Sequence, residues 1–152
     1  TLPDRHTDTA ANYGGGDFDT EDNGYKTLNG MMAALAGNGF FGPYGCYISR
    51  TQFSQLNHLR TGGSNLSELR TVEQNLSNLR FVKPSDVLAD GNVVLFQLTP
   101  DVAQIAIGQD LTVVEWDSKG GLVDNFIVMT AMVPLIKGTA AGVAGVAHAT
   151  GA

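Results

Sequence analysis

The chain has 152 residues, which suits one domain with a core of ordinary size. Only 16% of residues are charged while 19 are glycine, a balance fitting a protein that hides much of its surface against neighbours. The formal charge of −6 argues against a basic nucleic-acid-binding face, and the single cysteine, Cys46, excludes an internal disulfide.

Thr1 stands where an initiator methionine would, so the chain reads as processed, truncated or partly represented. Residues 1–18 lack periodicity and are rich in Gly, Asp, Thr and Asn, with Gly14-Gly15-Gly16 in their middle. They read as an extended arm or linker lying on something else. An N-terminal threonine can act as a hydrolase nucleophile with its own amine as base. That alternative needs Thr1 at the head of a strand, whereas Pro3 and polar residues follow. The acidic run from Asp17 to Asp22 fails as a calcium loop, because Asp22 and Leu28 occupy its required glycine and carboxylate positions. It reads better as a helix start capped by Asp19 or Thr20.

Tyr25, Leu28, Met31, Met32 and Leu35 recur at helical spacing and form a buried face. Gly37-Asn38-Gly39 supplies the left-handed residue a helix end needs. Gly42-Pro43 predicts a turn, residues 44–49 a buried strand holding an inert Cys46, and residues 50–59 a helix burying Phe53, Leu56 and Leu59. His58 has no second ligand at metal spacing and reads as solvated. The near-repeat of residues 65–70 and 75–80 turns by about −80° on a helix, so its copies share no face. Residues 68–74 read as helix.

The period then changes. Residues 79–82 and 93–98 predict strands, the second one central, and Thr99-Pro100-Asp101 turns the chain so that residues 103–107 pair back. Gly108-Gln109-Asp110 reads as a bend before a strand over 111–116, with Val114 and Trp116 on one face. Residues 117–121 predict a hairpin loop returning through 122–135, with Pro134 at an edge. No apolar run reaches the roughly 18–20 residues of a membrane helix. Residues 138–152 are nearly all Gly, Ala, Val and Thr and read as a tail ordered only on another subunit.

The passage Gly39-Phe40-Phe41-Gly42-Pro43-Tyr44, between a helix and a strand, resembles encapsulins and phage major capsid proteins of the HK97-like fold. Ile107-Gly108-Gln109-Asp110-Leu111-Thr112-Val113 is similar to a second family passage, in the expected order and at about the expected separation. The resemblance implies an α+β fold with an axial-domain sheet flanked by helices over 19–108, peripheral-domain strands over 109–137 and a tail over 138–152. It covers nearly all of this chain but about half of a family member, beginning after the family's spine helix. The implied function is an icosahedral shell subunit, most readily a tailed-phage capsid protein in a virion assembled in the bacterial cytoplasm. An encapsulin enclosing cargo enzymes is the alternative.

The implied partners are copies of the chain in pentamers or hexamers, the missing N-terminal portion or a complementary capsid chain, weakly held double-stranded DNA and a decoration protein; no membrane and no cofactor is implied. Contacts around the axis fall to Arg60, Thr61, Gly62 and Gly63 and to Thr99, Pro100 and Asp101, while Gly39, Gly42, Pro43, Tyr44, Gly108, Gln109 and Asp110 are family-motif turn residues. The catalytic inventory is poor. His6, His58 and His148 lie far apart, and neither a nucleophile elbow nor a phosphate loop is recognisable.

Overall fold

A computed structural model describes residues 4–59, 66–139 and 142–152. It contains a five-stranded mixed sheet with one helical layer, and a separate long two-stranded ribbon. The elements in order are β1 (Asp4–Thr9), α1 (Asn23–Gly37), β2 (Tyr44–Ser49), α2 (Arg50–Leu56) and α3 (Glu68–Asn75). They continue with β3 (Leu79–Ser85), β4 (Val93–Gln97), β5 (Ala103–Ser118), β6 (Val123–Ile136) and β7 (Val143–Thr150). The expected α+β class is the one observed.

The sheet order is β1-β7-β4-β2-β3. Strand β2 pairs in parallel with β3 and antiparallel with β4, and β4 in turn pairs antiparallel with β7. The alternate positions Cys46 and Ile48, Val93 and Leu95, and Ala147 and Ala149 are buried and join one core with Leu28, Met31 and Leu35 of α1, Leu56 of α2 and Val72 of α3. Period-two alternation therefore gives the sheet a helix-covered side and an opposite side.

Both ends of the chain differ from expectation. Residues 4–9 are not part of an arm but edge strand β1, parallel to β7. Beyond it Ala10, Tyr13 and Phe18 are buried in the same core. The expected Gly/Ala-rich tail is β7, set between β1 and β4, with Ala144, Ala147, Ala149 and Ala152 buried. Small side chains suit this place: they let α1 approach β7, and the sheet ladder supplies the hydrogen bonds that bulk would otherwise help protect. Low hydrophobic bulk excludes independent folding, but it does not exclude a strand inside someone else's ladder, here the chain's own.

Helix ends follow local chemistry. The Phe40 N–H donates to the Leu35 carbonyl and the Gly39 N–H to that of Ala36, each at 3.0 Å, with Gly39 at φ +87°. This is the expected glycine ending in its double-bonded form. At the other end of α1 the expectation fails. Neither Asp19 nor Thr20 caps the helix, which starts at Asn23 after Asp22 at φ +67° with no side-chain cap of its own. The Glu68 carboxylate, from the start of α3, takes the N–H groups of Asp22 and Tyr25 instead. Helix α2 ends at Leu56, and Leu59 is exposed rather than buried.

The turn at Gly42-Pro43 is present, with Gly42 at φ +95° and a cis bond to Pro43. The Pro43 carbonyl accepts the Leu98 N–H, and the Tyr44 hydroxyl donates to the Phe40 carbonyl, tying the turn to β4 and to the end of α1.

Residues 103–107 do not pair back onto β4. They open β5, a single strand of 16 residues paired throughout with β6. Gly108-Gln109-Asp110 makes no bend; register shifts on either side of Gln109 mark bulges inside the strand. A bulge inserts an extra residue without ending the pairing. The hairpin loop is where expected, with Lys119, Gly120 and Gly121 all at positive φ. The Lys137 N–H donates to the Val102 carbonyl at 2.8 Å and closes the base of the ribbon.

Candidate functional site

Among the described residues the titratable groups do not converge on a reaction centre. His6 shares a 2.6 Å hydrogen bond with the Tyr13 hydroxyl, and burial pushes the Tyr13 phenol up to about 12. His148 Nε2 bonds Asn92 Oδ1 at 2.8 Å, and burial holds its pKa below the ordinary imidazole value. These two histidines lie on the adjacent strands β1 and β7 rather than in arms, but each is occupied by its own partner. His58 is exposed. Cys46 is fully buried, and burial raises its thiol well above the usual range, so it is a packed side chain and not a nucleophile. Among the described residues no group of three His, Cys, Asp or Glu side chains is placed to hold a metal. Thr1 lies outside the described residues.

The ribbon is the surface that asks for an explanation. Pairing places Ile105, Ile107, Val113, Phe126, Val128, Met132 and Ile136 on one face. The other face carries Val114, Trp116, Ile127, Met129, Val133 and Leu135. Both faces are exposed, the first with Phe126 at 73% and the second with Val133 at 58%. Most of the large hydrophobic side chains exposed among the described residues stand on this ribbon. An apolar patch of this kind marks an interaction surface. A two-stranded ribbon is also marginal by itself, because it has no core. Covering one such side chain is worth about 1.5–3 kcal/mol, so polypeptide laid on either face has a large driving force.

The other expected interface residues divide into two groups. Thr99, Pro100 and Asp101 form a turn at the ribbon's base, where the Thr99 carbonyl accepts the N–H groups of Val102 and Ala103. Pro100 and Asp101 are exposed. Arg60, Thr61, Gly62 and Gly63 lie outside the described residues. In the second motif, Asp110 Oδ1 accepts the Leu111 N–H at 2.8 Å and the Gln109 carbonyl accepts the Thr130 hydroxyl at 3.0 Å. These residues shape the bulges and hold them against β6.

Gly108 has the look of a strand terminator but lies at a bulge inside β5, which is why the ribbon is longer than the expected strand over 111–116. The discriminating signal lies in the sequence: β-branched and apolar residues continue on both sides of Gly108, while the only adjacent glycines within residues 103–136 are Gly120-Gly121.

No protein-family model matches the sequence, and no curated protein does. Solved structures do. The virus-like particle from Pyrococcus furiosus aligns over 95% of this chain and 55% of its own, with TM-score 0.63 and 21% identity. The capsid of Myoviridae phage XM1 aligns over 99% of this chain and 51% of its own, with TM-score 0.60 and 17% identity. This chain has a capsid-like fold. It spans about half the length of these two proteins.

Proposed function

We infer that the protein is a structural subunit of a closed, icosahedral shell of the HK97-like class, acting by self-association and not by turnover. The observation that carries this reading is the ribbon, apolar and exposed on both faces, in a chain that aligns almost completely with two shell-forming proteins. In the proposed shell the helix-covered sheet is the axial region, and the turn at Thr99, Pro100 and Asp101 faces a five-fold or six-fold axis together with Arg60 to Gly63. The ribbon is the peripheral region, covered by neighbouring copies and by the half of the fold that the two relatives have in addition.

A phage capsid around double-stranded DNA is the primary form of this reading, assembled in the host cytoplasm. The net charge of −6 supports a genome held weakly enough to leave. The C-terminal segment supplies this form with no arm reaching across neighbours, because Val143–Thr150 is strand β7 of the chain's own sheet. An encapsulin-type compartment is the second form, favoured by the likeness to the Pyrococcus particle.

Electron microscopy and analytical ultracentrifugation test the shell reading, on the purified protein alone and combined with the remainder of the fold. Hollow, closed particles are expected. A monodisperse monomer under both conditions overturns it. Nucleic acid inside purified particles selects the capsid form, and co-purifying protein cargo selects the compartment.

A further inference from the structure

The side of the sheet away from the helices carries an aromatic cluster of Tyr47, Phe81 and Phe96. Along the same face Tyr47 is in register with Val94 on β4, Val94 with His148 on β7, and His148 with Thr7 on β1. Asn92 precedes Val94 by two residues and so stands diagonal to His148, within reach of its ring.

The hydrogen bonds of Asn92 fix the state of that ring. Asn92 Nδ2 donates to the Ala89 carbonyl at 2.9 Å and to the Asp90 carbonyl at 3.4 Å. Its Oδ1 is therefore the atom that meets His148 Nε2 at 2.8 Å. A carbonyl oxygen only accepts, so Nε2 carries the hydrogen and Nδ1 is the bare nitrogen. Nδ1 is buried with no hydrogen-bond partner among the described residues. A proton from solvent can add only there, creating a buried charge and a buried N–H without an acceptor.

The surrounding groups oppose that proton. From β1, Arg5 comes to this face and its Nε donates to the Thr7 hydroxyl at 3.2 Å. His6 and Asp8 have the other parity, in register with Ala147 and Ala149 on the helix-covered side. Strand β4 has no ionisable residue, and Asp90 in the turn before it accepts the Thr51 hydroxyl at 2.8 Å. Helix α1, against the other side of β7, has Tyr25 and Lys26 as its ionisable residues. Burial and the Arg5 charge together keep the imidazole neutral. The same corner holds the end of β7, because the Ala152 N–H donates to the Gly91 carbonyl at 3.1 Å.

We propose that His148 is a proton-operated latch: neutral, it ties β7 and the edge strand β1 to the turn at residues 89–92, and protonated at Nδ1 it lets that corner of the sheet open. The device is complete within one chain and stands apart from the shell reading. Opening frees the ring to take up its proton in water. The latch therefore contributes stability above the unfolded imidazole pKa of about 6.5 and loses it as pH falls through the lower folded value.

Hydrogen exchange of the full chain at about pH 7.5 and 5.5, corrected for the intrinsic pH dependence of exchange, tests the latch. Opening of residues 4–9 and 143–150 should become up to about tenfold more populated at the lower pH, while residues 44–49 stay within about twofold. His148→Gln keeps a donor for Asn92 Oδ1 but gains no proton, and should abolish the response. Nitrogen-15 spectra of the ring in the parent chain should show its hydrogen on Nε2 at neutral pH and a titration below about 6.5. No acceleration at the lower pH, equal acceleration across the whole sheet, or a response retained in His148→Gln overturns the inference. So does a ring that carries its hydrogen on Nδ1 at neutral pH.

Discussion

The Glu68 carboxylate accepts the Tyr25 N–H at 2.8 Å across 43 residues of sequence, and through its other oxygen the Asp22 N–H at 3.2 Å. A helix start leaves its first N–H groups without intrahelical partners, and a carboxylate satisfies them while complementing the helix dipole. Glu68 does this from the first turn of α3, itself capped by Ser67. One buried side chain thus joins two helix starts.

Glu68→Ala should lower stability by about 2–4 kcal/mol, because it strands buried donors beside the hole it leaves. Glu68→Gln keeps an acceptor oxygen and should cost about 1 kcal/mol. Thermal unfolding of the two variants against the parent reads the difference, and equal losses would assign the effect to packing alone.

Two glycines are constrained for different reasons. Gly42 has φ +95° with the Tyr44 ring beside its missing side chain, so Gly42→Val should cost about 1–3 kcal/mol through backbone strain. Gly30 has an ordinary helical backbone, but a Cβ there would be driven into the Tyr13 carbonyl. Gly30→Ala should lower the melting temperature even though alanine is the better helix former. An unchanged melting temperature for either variant would contradict its contact.

Deleting residues 143–152 should destroy cooperative unfolding and not merely trim an appendage. Strand β7 holds β1 to the sheet and pairs with β4, and the Ala152 carbonyl accepts a hydrogen bond from the buried Gln52 amide at 3.1 Å. Hydrogen exchange should show Val143 to Ala147 among protected amides in the free chain, before any assembly. Free exchange there would reverse this expectation.

Burial raises the Cys46 pKa above its unfolded value, so its contribution to stability is present below the unfolded pKa and lost as pH rises. Above about pH 8.5 the unfolded chain releases this proton while the folded chain keeps it. Stability should then fall by up to about 1.4 kcal/mol per pH unit, a slope that Cys46→Ala should reduce. Thiol reagents should label the native protein only as fast as it opens, as a mass-resolved time course would show.

The middle of the chain was legible because local chemistry and tertiary structure agree there. The stripe from Tyr25 to Leu35, the ending at Gly39, the turn at Gly42-Pro43 and the strand from Tyr44 to Ser49 each carry their own signal. The ends were not legible, for a physical reason. Val143 to Thr150 is a strand by position in a ladder and not by propensity, since alanine and glycine are poor strand formers and only β1 and β4 on either side make it one. The cap of α1 was equally hidden, because its acceptor lies 43 residues downstream. The resemblance to shell proteins was readable from two short passages, whereas the aromatic cluster on the open sheet face needed the register of β2, β3 and β4.

The hydrogen bond from the Lys137 N–H to the Val102 carbonyl closes the path from β4 to β7 before the first residue of the ribbon. Topologically the ribbon is an insert, entering and leaving through one doorway. Adding or removing cross-strand pairs in β5 and β6 alters the reach of the hairpin without changing the alignment of any strand in the sheet. Reach and body are therefore separate variables in this chain. A lineage, or an engineer, can change how far the hairpin extends from the sheet while leaving untouched the fold that gives the body its shape.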